Sequence, residues 1–234
     1  MKDSYDIIRN NIDSPEILET KIELELTWPP SLSPCFVISI NEDRWKSCLN
    51  RLSPISEHLI KWEGTNGREI DKNRWIEEGL CREDKILLNR GLLGCYDSHF
   101  RIWKHMLENK IPKAVIFEDD VDIKFDIDTL TTITESLDEL EDLDPKWDLL
   151  FISRNYEKSP NIAKIGKHLS IPGESYGAFA YVLTFNAARI LCLNALPITT
   201  HLDIYMTNQN LRKYSITPNL FYVTPVVSER ASII

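Results

Sequence analysis

At Ala114-Val115-Ile116-Phe117-Glu118-Asp119-Asp120-Val121-Asp122, four apolar residues run directly into four carboxylates, and no other stretch constrains the fold as much. The pattern reads as a buried strand that ends in an acidic site. Two carboxylates about 5 Å apart repel by roughly 3 kcal/mol at an effective dielectric near 20, so Glu118, Asp119, Asp120 and Asp122 need positive charge beside them to share one pocket. Hard dications such as Mg²⁺ or Mn²⁺ prefer carboxylate oxygen and commonly bridge one or two carboxylates to substrate phosphates. A solvated acidic turn is the plainer alternative for the same residues.

The text around this stretch alternates between strand and helix patterns. Cys35 to Ile40 is strand-like and turns through Asn41 into a helix with Trp45, Cys48, Leu49 and Leu52 on one face. A short strand is predicted from His58 to Trp62, followed by Gly64-Thr65-Asn66-Gly67, whose glycines suit a turn or a close approach to a ligand. The longest helix is predicted over 93–109, with Leu93, Tyr96, Phe100, Trp103 and Leu107 on one face before Pro112 stops it. After the strand at 113–117 come a helix near 128–143, a strand from Trp147 to Ile152, and a polar stretch at 153–175 that reads as a long functional loop. A strand from Phe179 to Thr184, a helix near 186–196, a candidate helix 203–212 and a strand near 220–224 complete the series. Residues 1–34, broken by Trp28-Pro29-Pro30, read as an appendage and hinge, and 35–234 as the main domain. Such alternation predicts an α/β sandwich of Rossmann type with a mainly parallel central sheet and a ligand crevice at the carboxyl ends of its strands.

Charge and composition narrow the function classes. A formal net charge of -9 argues against a nucleic-acid partner, which requires a basic surface. No run approaches the roughly eighteen apolar residues of a membrane span, and the opening Met-Lys-Asp-Ser-Tyr-Asp lacks the apolar core of a secretory signal, so a cytoplasmic location is expected. Cys35, Cys48, Cys81, Cys95 and Cys192 are widely spaced without a CxxC pair and read as reduced core residues. The histidines lack the spacings of zinc hydrolases, so zinc chemistry is not expected, and no Asp-x-Asp-x-Thr motif supports a phosphohydrolase.

Several ordered motifs resemble glycosyltransferase family 25, the group that contains lipooligosaccharide and collagen galactosyltransferases. They are Val37-Ile38-Ser39-Ile40-Asn41 with Arg44, then Gly64 to Gly67, then Gly94-Cys95-Tyr96-Asp97-Ser98-His99, then Ile116-Phe117-Glu118-Asp119-Asp120-Val121. Tyr176 to Val182 and Leu202 to Met206 extend the likeness. The resemblance implies a GT-A-like fold, a UDP-sugar donor carrying galactose or glucose, Mn²⁺ or Mg²⁺ as cofactor, and an acceptor hydroxyl on a glycan, glycolipid or protein, as in lipopolysaccharide biosynthesis. Peripheral membrane contact is compatible with that reading. The family usually has an acidic residue in a Gly-Glu-Ile-Gly-Cys phrase, where this chain has Gly91-Leu92-Leu93-Gly94-Cys95. A catalytically inactive relative that binds a nucleotide sugar or a partner is therefore the alternative.

Roles follow from the chemistry that sugar transfer from a diphosphate needs. Asp120 is the expected metal ligand, with Glu118 and Asp119 on metal, ribose or metal-bound water. Asn41 and Arg44 follow the first strand, where the nucleotide is expected, although an N-cap asparagine and an exposed helix arginine would look the same. Ser98 and His99, read as starting the long helix, are candidates for donor contact or for buried groups satisfied by backbone. Asp203 is the candidate base for an inverting transfer, its alternative being a helix N-cap, and Glu174 is the second candidate.

Overall fold

The computed structural model describes residues 32–82, 89–122, 127–157 and 159–223, so the proposed appendage at 1–34 lies almost wholly outside the described residues. β1 (Cys35–Ser39), α1 (Glu42–Arg51) and β2 (Leu59–Glu63) come first, then α2 (Lys72–Glu77), α3 (Arg90–Glu108), β3 (Lys113–Glu118), β4 (Val121–Asp122) and α4 (Ile127–Leu143). The short strands β5 (Leu149–Phe151), β6 (Asn155–Glu157), β7 (Ala163–Lys164), β8 (Leu169–Ile171) and β9 (Ser175–Tyr176) lead to β10 (Ala180–Thr184). Helices α5 (Phe185–Leu193) and α6 (Leu202–Asn208) and strands β11 (Lys213–Ile216) and β12 (Tyr222–Val223) follow.

Eight strands form one sheet in the order β2-β1-β3-β10-β5-β11-β8-β7. Tracing the parallel and antiparallel pairings across it, every strand points the same way except β10 and β8, which run in reverse. Period-two alternation sorts the side chains to two cores. Cys35 and Val37 of β1 and Val115 and Phe117 of β3 join Cys48 of α1, Leu52 at its C-cap, and Ile133 and Leu140 of α4 on one face. Phe36, Ile38, Ala114 and Ile116 join Trp103 of α3, Leu191 of α5 and Met206 of α6 on the other. The result is the expected helix–sheet–helix sandwich.

Local chemistry accounts for the helix starts. The Asn41 side chain accepts hydrogen bonds from the backbone N–H groups of Asp43 and Arg44 at 2.9 and 3.2 Å, capping α1. Asn89 caps α3 in the same way through the Leu92 N–H at 2.9 Å. Ile102, Trp103 and Met106 of α3 are wholly buried, as its helical spacing requires.

Where the sequence reading departs from the fold, the departures have physical causes. The stretch at 153–175 is not one long loop: β8 pairs with β11 and β7 with β8, extending the sheet, and Leu169 of β8 is wholly buried. Strands of two or three residues leave too little alternation to detect. The candidate helix 203–212 ends at Asn208, and the chain then enters β11, parallel to β5. α3 begins at Arg90, so Ser98 and His99 sit in its middle rather than at its start. Gly67 of the loop and Gly94 of α3 serve close backbone packing between the two. A Cβ at Gly67 would lie 2.6 Å from the Arg90 carbonyl oxygen, and one at Gly94 would lie 2.5 Å from the Thr65 carbonyl oxygen.

Since backbone cannot yield to that contact as a flexible side chain would, Gly94→Ala should destabilise the fold by about 1–3 kcal/mol, the usual cost of overpacking. A urea unfolding midpoint lower than that of the unaltered chain is the measurement that checks it.

Candidate active site

The site lies where the sheet changes its direction of growth. From β1 the chain passes along one face through α1 to β2, then returns along the opposite face through α3 to β3 on the other side of β1. The two connections diverge from adjacent strand ends, and open α/β sheets bind ligands in the crevice this leaves. Ile38 of β1 pairs with Glu118 of β3 at this edge, and the Asp119 N–H donates to the Ile38 carbonyl at 3.1 Å.

Strand alternation then divides the acidic run. Ala114 and Ile116 face the α3 side and Glu118 continues that set, whereas Val115 and Phe117 face the α1 side and Asp119 continues theirs. Asp119 is only 5% exposed and is held by the α1 side: Ser39 donates to its Oδ2 at 2.5 Å, and Arg44 donates to its Oδ1. The Arg44 guanidinium also lies 3.7 Å from Asp120 Oδ2. Two helical turns on, Arg51 donates to the carbonyl oxygens of Asp119 at 2.6 Å and Val121 at 2.9 Å, fixing the backbone of the turn. Burial pushes both aspartic acids above the ordinary carboxylate value of 3.8; Ser39 and Arg44 counteract this at Asp119, and Arg44 counteracts it at Asp120, where the charge of Asp119 adds to the rise.

Glu118, 7% exposed, meets α3 instead. His99 Nε2 lies 3.4 Å and Cys95 Sγ 3.8 Å from its Oε1. The other ring nitrogen of His99 is 2.8 Å from the Tyr181 hydroxyl, to which Trp103 Nε1 also donates at 3.2 Å. Ser98 is a structural link: it accepts from the Thr65 N–H at 2.8 Å and donates to the Gly94 carbonyl at 2.6 Å.

Three adjacent cavities form a groove along this edge of the sheet. The central one is lined by Arg44, Ser98, His99, Glu118, Asp119 and Asp120. It shares Ile40 and Thr65 with a second cavity bounded by Trp75 and Arg101. On the other side it shares Cys95 and Glu118 with a third, lined by Leu92, Gly177, His201 and Asp203. Asp203 is fixed there, its Oδ2 accepting from the Gly177 N–H at 3.0 Å and its Oδ1 from the Ile204 N–H at 2.8 Å. Its position is the first turn of α6, not the cap, which is His201.

Of the residues singled out from sequence, Arg44, Ser98, His99, Glu118, Asp119 and Asp120 therefore meet in one cavity and Asp203 stands in the next. Asn41 spends its side chain on the α1 cap. Glu174 is exposed and lines none of these cavities, and Asp122 is exposed on β4. Sequence reasoning gave Cys95 no site role. Its four-residue spacing from His99 was the available signal, but that signal acquires meaning only beside Glu118. All five cysteines are free thiols, and burial raises Cys48 to about 12.

Comparisons with known proteins show the family. The family model for glycosyltransferase family 25 (LPS biosynthesis protein) matches residues 33–206. Procollagen galactosyltransferase 1-B of Xenopus laevis is 26% identical over 171 residues, which cover 62% of this chain and 27% of that protein. Procollagen galactosyltransferase 2 of Homo sapiens is 26% identical over 161 residues, 58% of this chain and 25% of that one. The probable inactive glycosyltransferase 25 family member 3 of Bos taurus is 29% identical over 134 residues, 54% of this chain and 22% of the relative. The matched part thus spans about a quarter of these relatives' length. With the family pattern running from before β1 into α6, through every strand and helix that walls the groove, the chain belongs to glycosyltransferase family 25.

Proposed function

We propose that this chain is a metal-assisted hexosyltransferase that moves galactose or glucose from a UDP-sugar to an acceptor hydroxyl on a glycan, glycolipid or protein, with inversion. The observation that carries the reading is the groove: a buried carboxylate run at the β1–β3 switch point opens, through the wall shared at Cys95 and Glu118, toward the fixed carboxylate of Asp203. The donor diphosphate belongs in the central cavity and the acceptor in the one beside it.

The residues present suit a hard dication. Glu118 and Asp120 offer carboxylate oxygen on the cavity wall, the donor chemistry that Mn²⁺ and Mg²⁺ prefer, and would hold the ion, while Asp119 is already committed to Ser39 and Arg44. When bound, such an ion supplies Lewis-acid neutralisation of the charge that develops on the leaving diphosphate. Arg44, with one face on the cavity, adds a planar donor suited to phosphate. Asp203, oriented by two backbone N–H groups, accepts the proton of the acceptor hydroxyl as that oxygen attacks the sugar from the side opposite the diphosphate.

One observation favours a second reading, a relative that binds the nucleotide sugar without turnover. Leu92 lines the third cavity with Glu118 and Asp203, an apolar side chain where the family pattern usually carries a carboxylate, and one relative is a probable inactive family member.

UDP release from a panel of UDP-sugars in Mn²⁺, with and without glycan acceptors, separates the two. Turnover that disappears in Asp120→Ala supports the transferase; donor binding without release under all these conditions supports the second reading. Within the transferase reading, Asp203→Asn should lower kcat by roughly 10²–10⁴-fold, the ordinary contribution of a general base, with little change in the donor KM.

The acidic corner also has a cost that stability measurements can read. Burial raises the folded-state pKa of Asp120 above its unfolded value of about 3.8, so the folded state binds that proton more tightly, and stability from this group is lost as pH rises from 3.8 through the raised value. Asp120→Asn should therefore melt at a higher temperature than the unaltered chain near neutral pH. Thermal scans should show the gap closing on the acid side of 3.8.

A further inference from the structure

Cys95 and His99 stand one helical turn apart on the inner face of α3, and Glu118 reaches them from the end of β3. Their ligand atoms all lie within 4.8 Å of one another. A tetrahedral zinc ion bound at about 2.0 Å to oxygen and nitrogen and about 2.3 Å to sulfur places its nitrogen and oxygen ligands about 3.3 Å apart, and its sulfur and oxygen ligands about 3.5 Å apart. The corresponding separations here are 3.4 Å for His99 Nε2 to Glu118 Oε1 and 3.8 Å for Cys95 Sγ to the same oxygen. Two edges of a zinc tetrahedron, both meeting at Glu118, are thus already near their bound lengths, and the third donor pair lies within 4.8 Å.

We propose that Cys95, His99 and Glu118 form a cation site for a thiophilic divalent ion of the zinc type, distinct from the hard-ion position at Asp120 and with its fourth coordination position open to the groove. Thiolate and imidazole select such an ion over Mg²⁺ or Mn²⁺, which favour all-oxygen sites. The imidazole is supported as ligating histidines usually are, by a hydrogen bond on its far nitrogen: the Tyr181 hydroxyl lies 2.8 Å from Nδ1, and the two rings stack with their centroids 5.7 Å apart. His99 is fully buried, whereas Cys95 and Glu118 face both the central and the third cavity, so an ion has a path in. On ligation the Cys95 thiol gives its proton to solvent. Because Glu118 is common to both positions, filling the thiolate site changes the donor set available to the hard ion.

The site is tested without an activity assay. The full chain, stripped by a chelator, is titrated with Co²⁺. The expected spectrum has a thiolate-to-cobalt charge-transfer band that saturates at a single ion per chain and is displaced by Zn²⁺. The band should persist in Asp120→Ala and Cys192→Ser and vanish in Cys95→Ser. A cobalt spectrum without the thiolate band, or a band that survives Cys95→Ser, overturns the proposal. Should Cys95→Ser fail to fold, alkylation of Cys95 in the unaltered chain, mapped by mass spectrometry, decides the matter: Zn²⁺ should protect the thiol where Mg²⁺ does not, and equal labelling in both overturns the site.

Discussion

Burying consecutive carboxylates at the end of a central strand is the constraint on which this site depends. Each ionised group taken from water costs several kcal/mol unless partners replace its hydration. The fold distributes that cost by using the strand's own alternation. Glu118 is delivered to the α3 side, where His99, Cys95 and Tyr181 stand, and Asp119 to the α1 side, where Ser39 and Arg44 stand. Asp120, the residue on the turn, is left beside Arg44 over the cavity. Three acids adjacent in sequence therefore have three different environments, and each can serve a different purpose.

The same logic explains why α1 matters beyond its packing. Arg44 and Arg51, seven residues apart, lie on one helical face, so one reaches the carboxylates and the other the carbonyls of the turn they occupy. The Asn41 cap fixes where that helix begins and thus where both guanidiniums fall. The capping role of Asn41, treated as the alternative to nucleotide contact when read from sequence, is how it contributes to the site.

Much of this was legible before any coordinates. The apolar run of β3 and its acidic end, the long amphipathic α3 and the alternation of strands with helices each rest on patterns of five or more residues, and local periodicity sets them. The short strands β7, β8 and β11 were not legible, because two to four residues carry little periodicity and their pairing is decided by what lies beside them. At the site, the acidic residues announced themselves through charge density. The pairings did not: Arg44 and His99 were candidates for donor contact, but Ser39 and Arg44 lie 80 and 75 residues from Asp119 along the chain, and His99 meets Glu118 only once β3 is placed against α3. Glu174, the second candidate base, lies exposed between β8 and β9 and is not among the residues lining the three cavities, because part of that stretch is built into short strands.

Leu92 sharpens the relation between the two halves of the groove. A carboxylate at that position would stand on the cavity wall shared by Glu118 and Asp203, adding a third negative charge beside these two acids. An apolar side chain lowers that electrostatic load and packs against the core cluster of α3 instead. The change need not disturb the β1–β3 corner, whose charges are answered from α1 and from the inner face of α3. It acts on the neighbouring cavity, where Asp203 is held by the backbone of Gly177, so that cavity is the part of the groove that departs from the family pattern while the β1–β3 corner keeps it.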